Sequence, residues 1–279
     1  MTEDPQSLVD AAGRAHSPVT GEPRILSLAA PLTDLCIALE LADAVVGRTA
    51  ACDVGAGIAA TSAVVGSPAA PDLDRVRDLA PTHALVHLAE TPSAVMSALF
   101  ELGIDVVAVR PRTPAENFEL FRLVGGIFSV LPEADTLARR LEAALARIKM
   151  ALHREPLRRI LYVSGIDPVR VVTPASYAAR MLELARFEVV GPEEARDDVA
   201  AFELDEGTLG RVDAILFDGS TGAFRRADLR GFADAHGVAS ARLYLMEERV
   251  ADWYGARAIS AVDELIDLRR RLARAGSQA

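Results

Sequence analysis

Apolar positions recur along this chain in two alternating rhythms: short unbroken runs, and longer segments in which every third or fourth residue is apolar. From Arg24 the rhythm predicts a strand over 25–28, a helix over 33–41, a strand over 44–47, a Gly/Ala/Ser-rich loop, a strand over 63–65 and a helix over 73–79. It continues with a strand over 83–88, a helix over 93–102, a strand over 105–109 and a helix over 115–124. A long charged helix follows over 134–154, with Leu137, Leu141, Leu145, Ile148 and Leu152 on one face. The alternation then resumes with a strand over 159–163, a helix over 176–185 and strands over 187–190 and 214–217. A helix over 228–235, a strand over 242–245 and a C-terminal helix over 256–273 close the chain.

Strand–helix alternation of this kind predicts α/β architecture with mainly parallel sheets covered by helices. The expected organisation is a flexible N-terminal segment (1–22), an N-terminal α/β lobe (23–133), a connecting backbone helix (134–155) and a C-terminal α/β lobe (156–275). About 21 helical residues at 1.5 Å each reach roughly 31 Å, enough to join two Rossmann-like lobes with a ligand cleft between them. Open α/β sheets bind ligands beyond the carboxyl ends of their strands. Candidate chemistry therefore belongs to the loops 29–34, 48–62, 66–72, 89–92 and 110–114 in the first half, and 164–173, 218–224 and 246–257 in the second.

Composition narrows the function. With 40 acidic against 30 basic residues the net charge is -10, and no Lys/Arg run forms the patch that nucleic acid requires. No apolar stretch is long enough to span a membrane. The start carries Glu3 and Asp4 where an export signal would be basic, which predicts a cytoplasmic protein, or an extracytoplasmic one if a signal has been removed. Two cysteines, Cys36 and Cys52, are too few for a disulfide framework or a thiolate metal cage.

Several segments carry a resemblance. They are Arg24-Ile-Leu-Ser-Leu-Ala-Ala-Pro-Leu-Thr-Asp34, Val46-Gly-Arg-Thr-Ala-Ala-Cys52, and Val65-Gly-Ser-Pro-Ala-Ala-Pro-Asp-Leu-Asp-Arg-Val76. Leu79-Ala-Pro81, Thr173-Pro-Ala-Ser-Tyr-Ala-Ala-Arg-Met-Leu182 and Asp252-Trp-Tyr-Gly-Ala-Arg257 continue the pattern. In order and spacing around the long helix, the chain resembles the substrate-binding proteins whose two lobes are joined by one backbone helix, the group of cobalamin, ferric-siderophore and haem receptors. The resemblance implies a non-enzymatic clamp that needs no cofactor and takes a corrinoid, haem or ferric siderophore as ligand, presenting it to an ABC importer. It also implies one acidic docking residue on each lobe. Asp74 stands at the first such place, shortened from the usual Glu, and Ser220 at the second. After Cys52, Asp-Val-Gly replaces the His-Pro often found in that group.

The residues expected to line a ligand site are Thr33, Arg48, Cys52, Tyr177, Ser220, Phe224, Trp253, Tyr254 and Arg257. Rings bury much area at small entropic cost, and guanidinium pairs with carboxylate or phosphate, so an aromatic wall with an arginine suits a large, partly anionic ligand. The other reading of Trp253 and Arg257 is structural: packing under the last helix and capping a carbonyl.

Other constellations read as structural. Gly55-Ala-Gly57-Ile-Ala-Ala60 has dinucleotide-fingerprint spacing without the strand before it and the helix after it, so a loop is expected. His83 and His87 lie on one strand about 13 Å apart, too far for a single metal. Asp218-Gly-Ser-Thr-Gly222 lacks the first glycine of a nucleophile elbow. Glu193, Glu194, Asp197 and Asp198 read as a solvated loop. The expected function is small-molecule binding, as a cytosolic carrier or sensor, with no metal site. The alternative is a binding-protein fold turned to protein–protein interaction.

Overall fold

The computed structural model describes residues 8–52, 62–219, 224–246 and 250–276. The chain divides into two compact units, the first made of Met1–Pro111, Ala115–Leu141 and Tyr254–Arg257, the second of Arg112–Pro114, Glu142–Trp253 and Ala258–Ala279. Two short exchanged segments, 112–114 and 254–257, thus belong to the unit opposite their sequence neighbours.

The first unit opens with an antiparallel hairpin, β1 (Leu8–Val9) and β2 (Ala15–His16), where a flexible lead-in was expected. A buried carboxylate explains the order. Asp10 Oδ1 accepts from the backbone N–H of Ala12 and Arg14, both at 2.9 Å, and Oδ2 accepts from Ala108 N–H at 2.9 Å. His16 lies between Asp10 Oδ2 at 3.2 Å and Asp105 Oδ2 at 3.1 Å. Gly126 lets the hairpin close on the unit, since a Cβ there would meet Leu8 Cδ2 at 2.5 Å.

The elements that follow are β3 (Ile25–Ser27), α1 (Ala30–Ala38), β4 (Val45–Arg48), β5 (Ala63–Val64), the small hairpin β6 (Gly66–Ser67) and β7 (Ala70–Pro71), and α2 (Leu73–Leu79). Then come β8 (His83–His87), α3 (Ser93–Glu101), β9 (Asp105–Val109) and α4 (Glu116–Ile127). Strands pair in the order β5-β4-β3-β8-β9, all parallel. Nearly continuous burial along β8 and β9 is what a parallel sheet covered on both faces requires. One core cluster of this unit joins Leu26, Leu28, Val76, Val86, Leu99 and Val106.

The long helix, α5 (Leu131–Leu152), begins ahead of the expected start because Pro132 fits a first helical turn, where its missing N–H costs nothing. Its buried stripe is Ala134, Leu137, Leu141, Ala144, Ile148 and Leu152, with Ala144 taking the place expected of Leu145. The division between units falls within it, after Leu141.

The second unit holds β10 (Arg158–Ile166), β11 (Val169–Val172), α6 (Tyr177–Leu184), β12 (Phe187–Val189), β13 (Val199–Ala201) and α7 (Glu206–Arg211). It ends with β14 (Ala214–Asp218), α8 (Arg226–His236), β15 (Leu243–Met246) and α9 (Arg257–Gly276). The order is β13-β11-β10-β14-β15, with β12 also on β10. β12, β14 and β15 run parallel to their neighbours, while β11 and β13 are antiparallel. The expected strand-end loop 164–173 is therefore a correction: β10 runs on to Ile166 and folds back through β11. Phe217 anchors the core, edge to face with Phe224 and Phe232.

Among the described residues no helix is long and apolar enough to cross a membrane, and no group of His, Cys, Asp and Glu is placed to hold a metal ion.

Candidate functional site

In the first unit, parallel strands β3 and β4 end side by side and their carboxyl ends carry a connected set of polar groups. Ser27 closes β3 and Arg48 closes β4. Thr33 Oγ1 donates to Ser27 Oγ at 2.8 Å and lies 3.0 Å from Cys52 Sγ, which is 3.2 Å from Thr49 Oγ1. With the Thr33 proton given to Ser27, the Cys52 thiol is left to donate to Thr33 and can accept from Thr49. Arg48 Nε donates to Ser62 Oγ at 3.0 Å, and Nη1 to the carbonyls of Cys52 and Thr49 at 3.2 and 3.4 Å. No partner of Arg48 Nη2 is found among the described residues. Thr33, Thr49, Cys52 and Ser62 are buried and Arg48 half-buried, so the arginine is the charged member that faces outward. Cys36 sits on the same helix face as Thr33, and burial, with Cys52 and Asp34 nearby, pushes its thiol up to about 12.

The segment 254–257 is held within the first unit. Tyr254 is buried and stacks on His87 with ring centroids 5.3 Å apart. Gly255, at φ +66°, donates its N–H to Asn117 Oδ1 at 2.6 Å. Arg257 Nε pairs with Asp34 Oδ2 at 2.6 Å, and its Nη2 donates to Oδ1 at 3.3 Å. An ion pair with one hydrogen bond holds Arg257 on Asp34 within this unit.

Three of the expected aromatic positions differ from the sequence reading. Phe224, two residues ahead of α8, belongs to the core of the second unit, packed against Phe217 and Phe232. Tyr177 is 8% exposed, with its hydroxyl donating to Trp253 O at 3.1 Å. Tyr254 is spent on His87. Trp253 stays half-exposed, its N–H donating to Val250 O at 3.3 Å. Thr33, Arg48 and Cys52 come together as described; Ser220 and the loop Gly55–Ala60 lie outside the described residues. Asp74 is exposed in the first turn of α2 and pairs with Arg77 at 2.6 Å.

Ser27, Thr49, Ser62, Asp34 and Asn117 were not singled out in the sequence. Ser27 had a usable signal, a polar residue at the end of an apolar strand. Asn117 had none, since a fully buried amide inside a helix looks like any exposed one in sequence.

Two mostly parallel sheets in one chain, with small polar groups and an arginine gathered at the ends of β3 and β4, place the candidate site at strand ends of an α/β fold. The chain belongs to the periplasmic binding protein family, whose model matches residues 25–241. Solved structures agree in fold. A haem-binding protein, RhuT of Roseiflexus sp. RS-1, superposes with a TM-score of 0.76 at 18% identity, covering 91% of this chain and 99% of its own. The vitamin B12 binding protein BtuF of Vibrio cholerae gives 0.75 at 13% identity, with 90% and 98% covered. IsdE of S. aureus, solved with haem, gives 0.73 at 21% identity, with 89% and 99% covered. No curated protein matches the sequence.

Proposed function

We propose that the protein is a non-enzymatic binding protein that holds a small organic or metal-chelate ligand, of the corrinoid, haem or ferric-siderophore class, at the strand-end loops. Arg48 carries this proposal. Two of its nitrogens are fixed by Ser62, Thr49 and Cys52, leaving Nη2 among the described residues to meet an anionic substituent such as a carboxylate. A guanidinium already oriented loses little freedom on pairing, which makes it a strong anion donor. The ligand class comes from the B12 and haem named for the similar structures. Arg257 is proposed as a positioning residue that holds the segment 254–257 on Asp34 within the first unit. Asp74 is proposed to dock an importer, with Ser220 at the matching place.

A second reading, a protein–protein interaction module, is favoured by one observation: Tyr177, Phe224 and Tyr254 are used in packing. One experiment separates the two. Protein purified from its own host is examined by absorbance and native mass spectrometry, then challenged with cobalamin, haem and a ferric siderophore in a thermal-shift panel. A bound chromophore, or a rise in Tm that Arg48→Gln removes, is expected. A colourless protein that ignores all three overturns ligand binding in favour of the interaction module. Cell fractionation addresses location: recovery in the cytosol supports a carrier or sensor, and recovery outside the membrane supports delivery to an importer.

A further inference from the structure

In the second unit, a groove of about 610 Å³ lies along β15 between α8 and α9. We propose that it docks an extended, acidic segment of a partner protein, which adds to β15 as a further strand.

β15 is the last strand of its sheet among the described residues, paired on one side with β14. The ladder fixes which way its backbone points. Gly219 N–H donates to Met246 O at 2.8 Å, and Phe217 is in register with Leu245. In a parallel ladder the residues facing β14 are then Tyr244 and Met246, while the N–H and C=O of Leu245 and the C=O of Leu243 face the open side. The Leu243 N–H is already given to Ser240 in the preceding turn. Proteins ordinarily blunt such an edge with Lys, Pro or a bulge, and Leu-Tyr-Leu-Met has none of these. Leu243, Tyr244 and Leu245 are only half-buried.

Leu229, Leu265 and Leu268 supply the apolar walls. The rim is basic. Arg226 and Arg230, one turn apart on α8, and Arg271 on α9 are exposed; among the described residues none has an ion-pair partner, and Glu264 is the one acidic side chain of the lining. On a chain of net charge -10 this is a local reversal of sign, and it selects an acidic occupant. A second copy of this chain would bring the same three arginines against it, so an edge-to-edge dimer is disfavoured. An anionic lipid would satisfy the arginines, but its acyl chain would bury the open backbone groups of β15 without hydrogen bonds. An extended peptide satisfies both, with main-chain bonds to the edge and alternate side chains to the walls and rim. The inference is independent of the ligand site proposed in the first unit.

The test is selection from a displayed pool of nine-residue peptides alternating Asp or Glu with Val, Ile, Leu or Phe, beside a matched pool carrying Lys or Arg. Enrichment from the acidic pool alone is expected. Leu245→Pro removes an N–H that faces away from β14, and it should weaken the selected peptides at least about tenfold. The double variant Arg226→Glu with Arg230→Glu should weaken them about tenfold and reduce the salt dependence, with circular dichroism and Tm reporting that both variants fold. Amide hydrogen exchange should show new protection at Leu245 when peptide is bound. No enrichment over the basic pool overturns the proposal, as does binding that both folded variants retain. Oleate displacing the selected peptides while leaving Leu245 exchange unprotected would assign the groove to an amphiphile instead. A concentration-dependent dimer lost in Leu245→Pro would assign it to a second copy.

Discussion

At the residue scale, burial decides behaviour that residue type alone leaves open. Cys36 is fully buried with its thiol pushed up to about 12, so its thiolate is scarce at neutral pH and reagent access is blocked. Native protein should therefore show no reaction of Cys36 with a chromogenic disulfide reagent, and full reaction in denaturant; peptide mapping after labelling reads the difference. His83 is lowered by burial, which outweighs the Asp105 carboxylate that raises it, with His16 adding to the lowering. A folded value below the unfolded one means that the unfolded chain takes up the proton first. Stability from neutral His83 is thus complete above about pH 6.5 and declines as pH falls below it toward the folded value. Tm should fall between about pH 7.5 and pH 5.5, and less steeply in His83→Gln, measured by calorimetry in matched buffers.

At the scale of elements, the hairpin β1–β2 shows a few polar contacts ordering a segment without an apolar pattern. Asp10 accepts from three backbone N–H groups and faces His16, so Asp10→Ala leaves several buried donors unmatched. The expected cost is about 3 kcal/mol, read from the denaturant midpoint, with faster amide exchange at Ala12, Arg14 and Ala108. The central strands and every described helix except the short α7 were legible in sequence because period-two and period-3.6 burial leave direct traces; α7, six residues long, is too short to show a period. β11 and β13 were not legible, since strands of four and three residues are too short to show a period, and β13 is placed only by its pairing with β11. α5 starts three residues before the expected 134, and Pro132 is accommodated in its first turn, where a missing N–H costs nothing.

At the scale of the whole molecule, a chain of net charge -10 is expected to avoid polyanions. In a mobility-shift titration at about 0.1 M salt no duplex DNA or RNA should be retarded, and a shift would contradict the charge argument. Each unit carries its own apolar cluster, one around Leu26 and Val106 and the other around Leu161 and Phe217, and the repeat of strand–helix alternation on either side of α5 made that duplication visible before any coordinates.

The sequence by itself determined the α/β class, the long helix and the segments after β3 and from the end of β4 onward that carry Thr33, Arg48 and Cys52, because burial periodicity and turn residues are local properties of the chain. Tertiary structure alone decided which aromatic rings are committed to packing. It likewise decided that Arg257 closes on Asp34, that Asn117 holds Gly255, and that β15 is the last strand of its sheet among the described residues. Those facts depend on partners far apart along the chain, and hydrophobic burial and hydrogen-bond satisfaction choose such partners only once the sheets have formed.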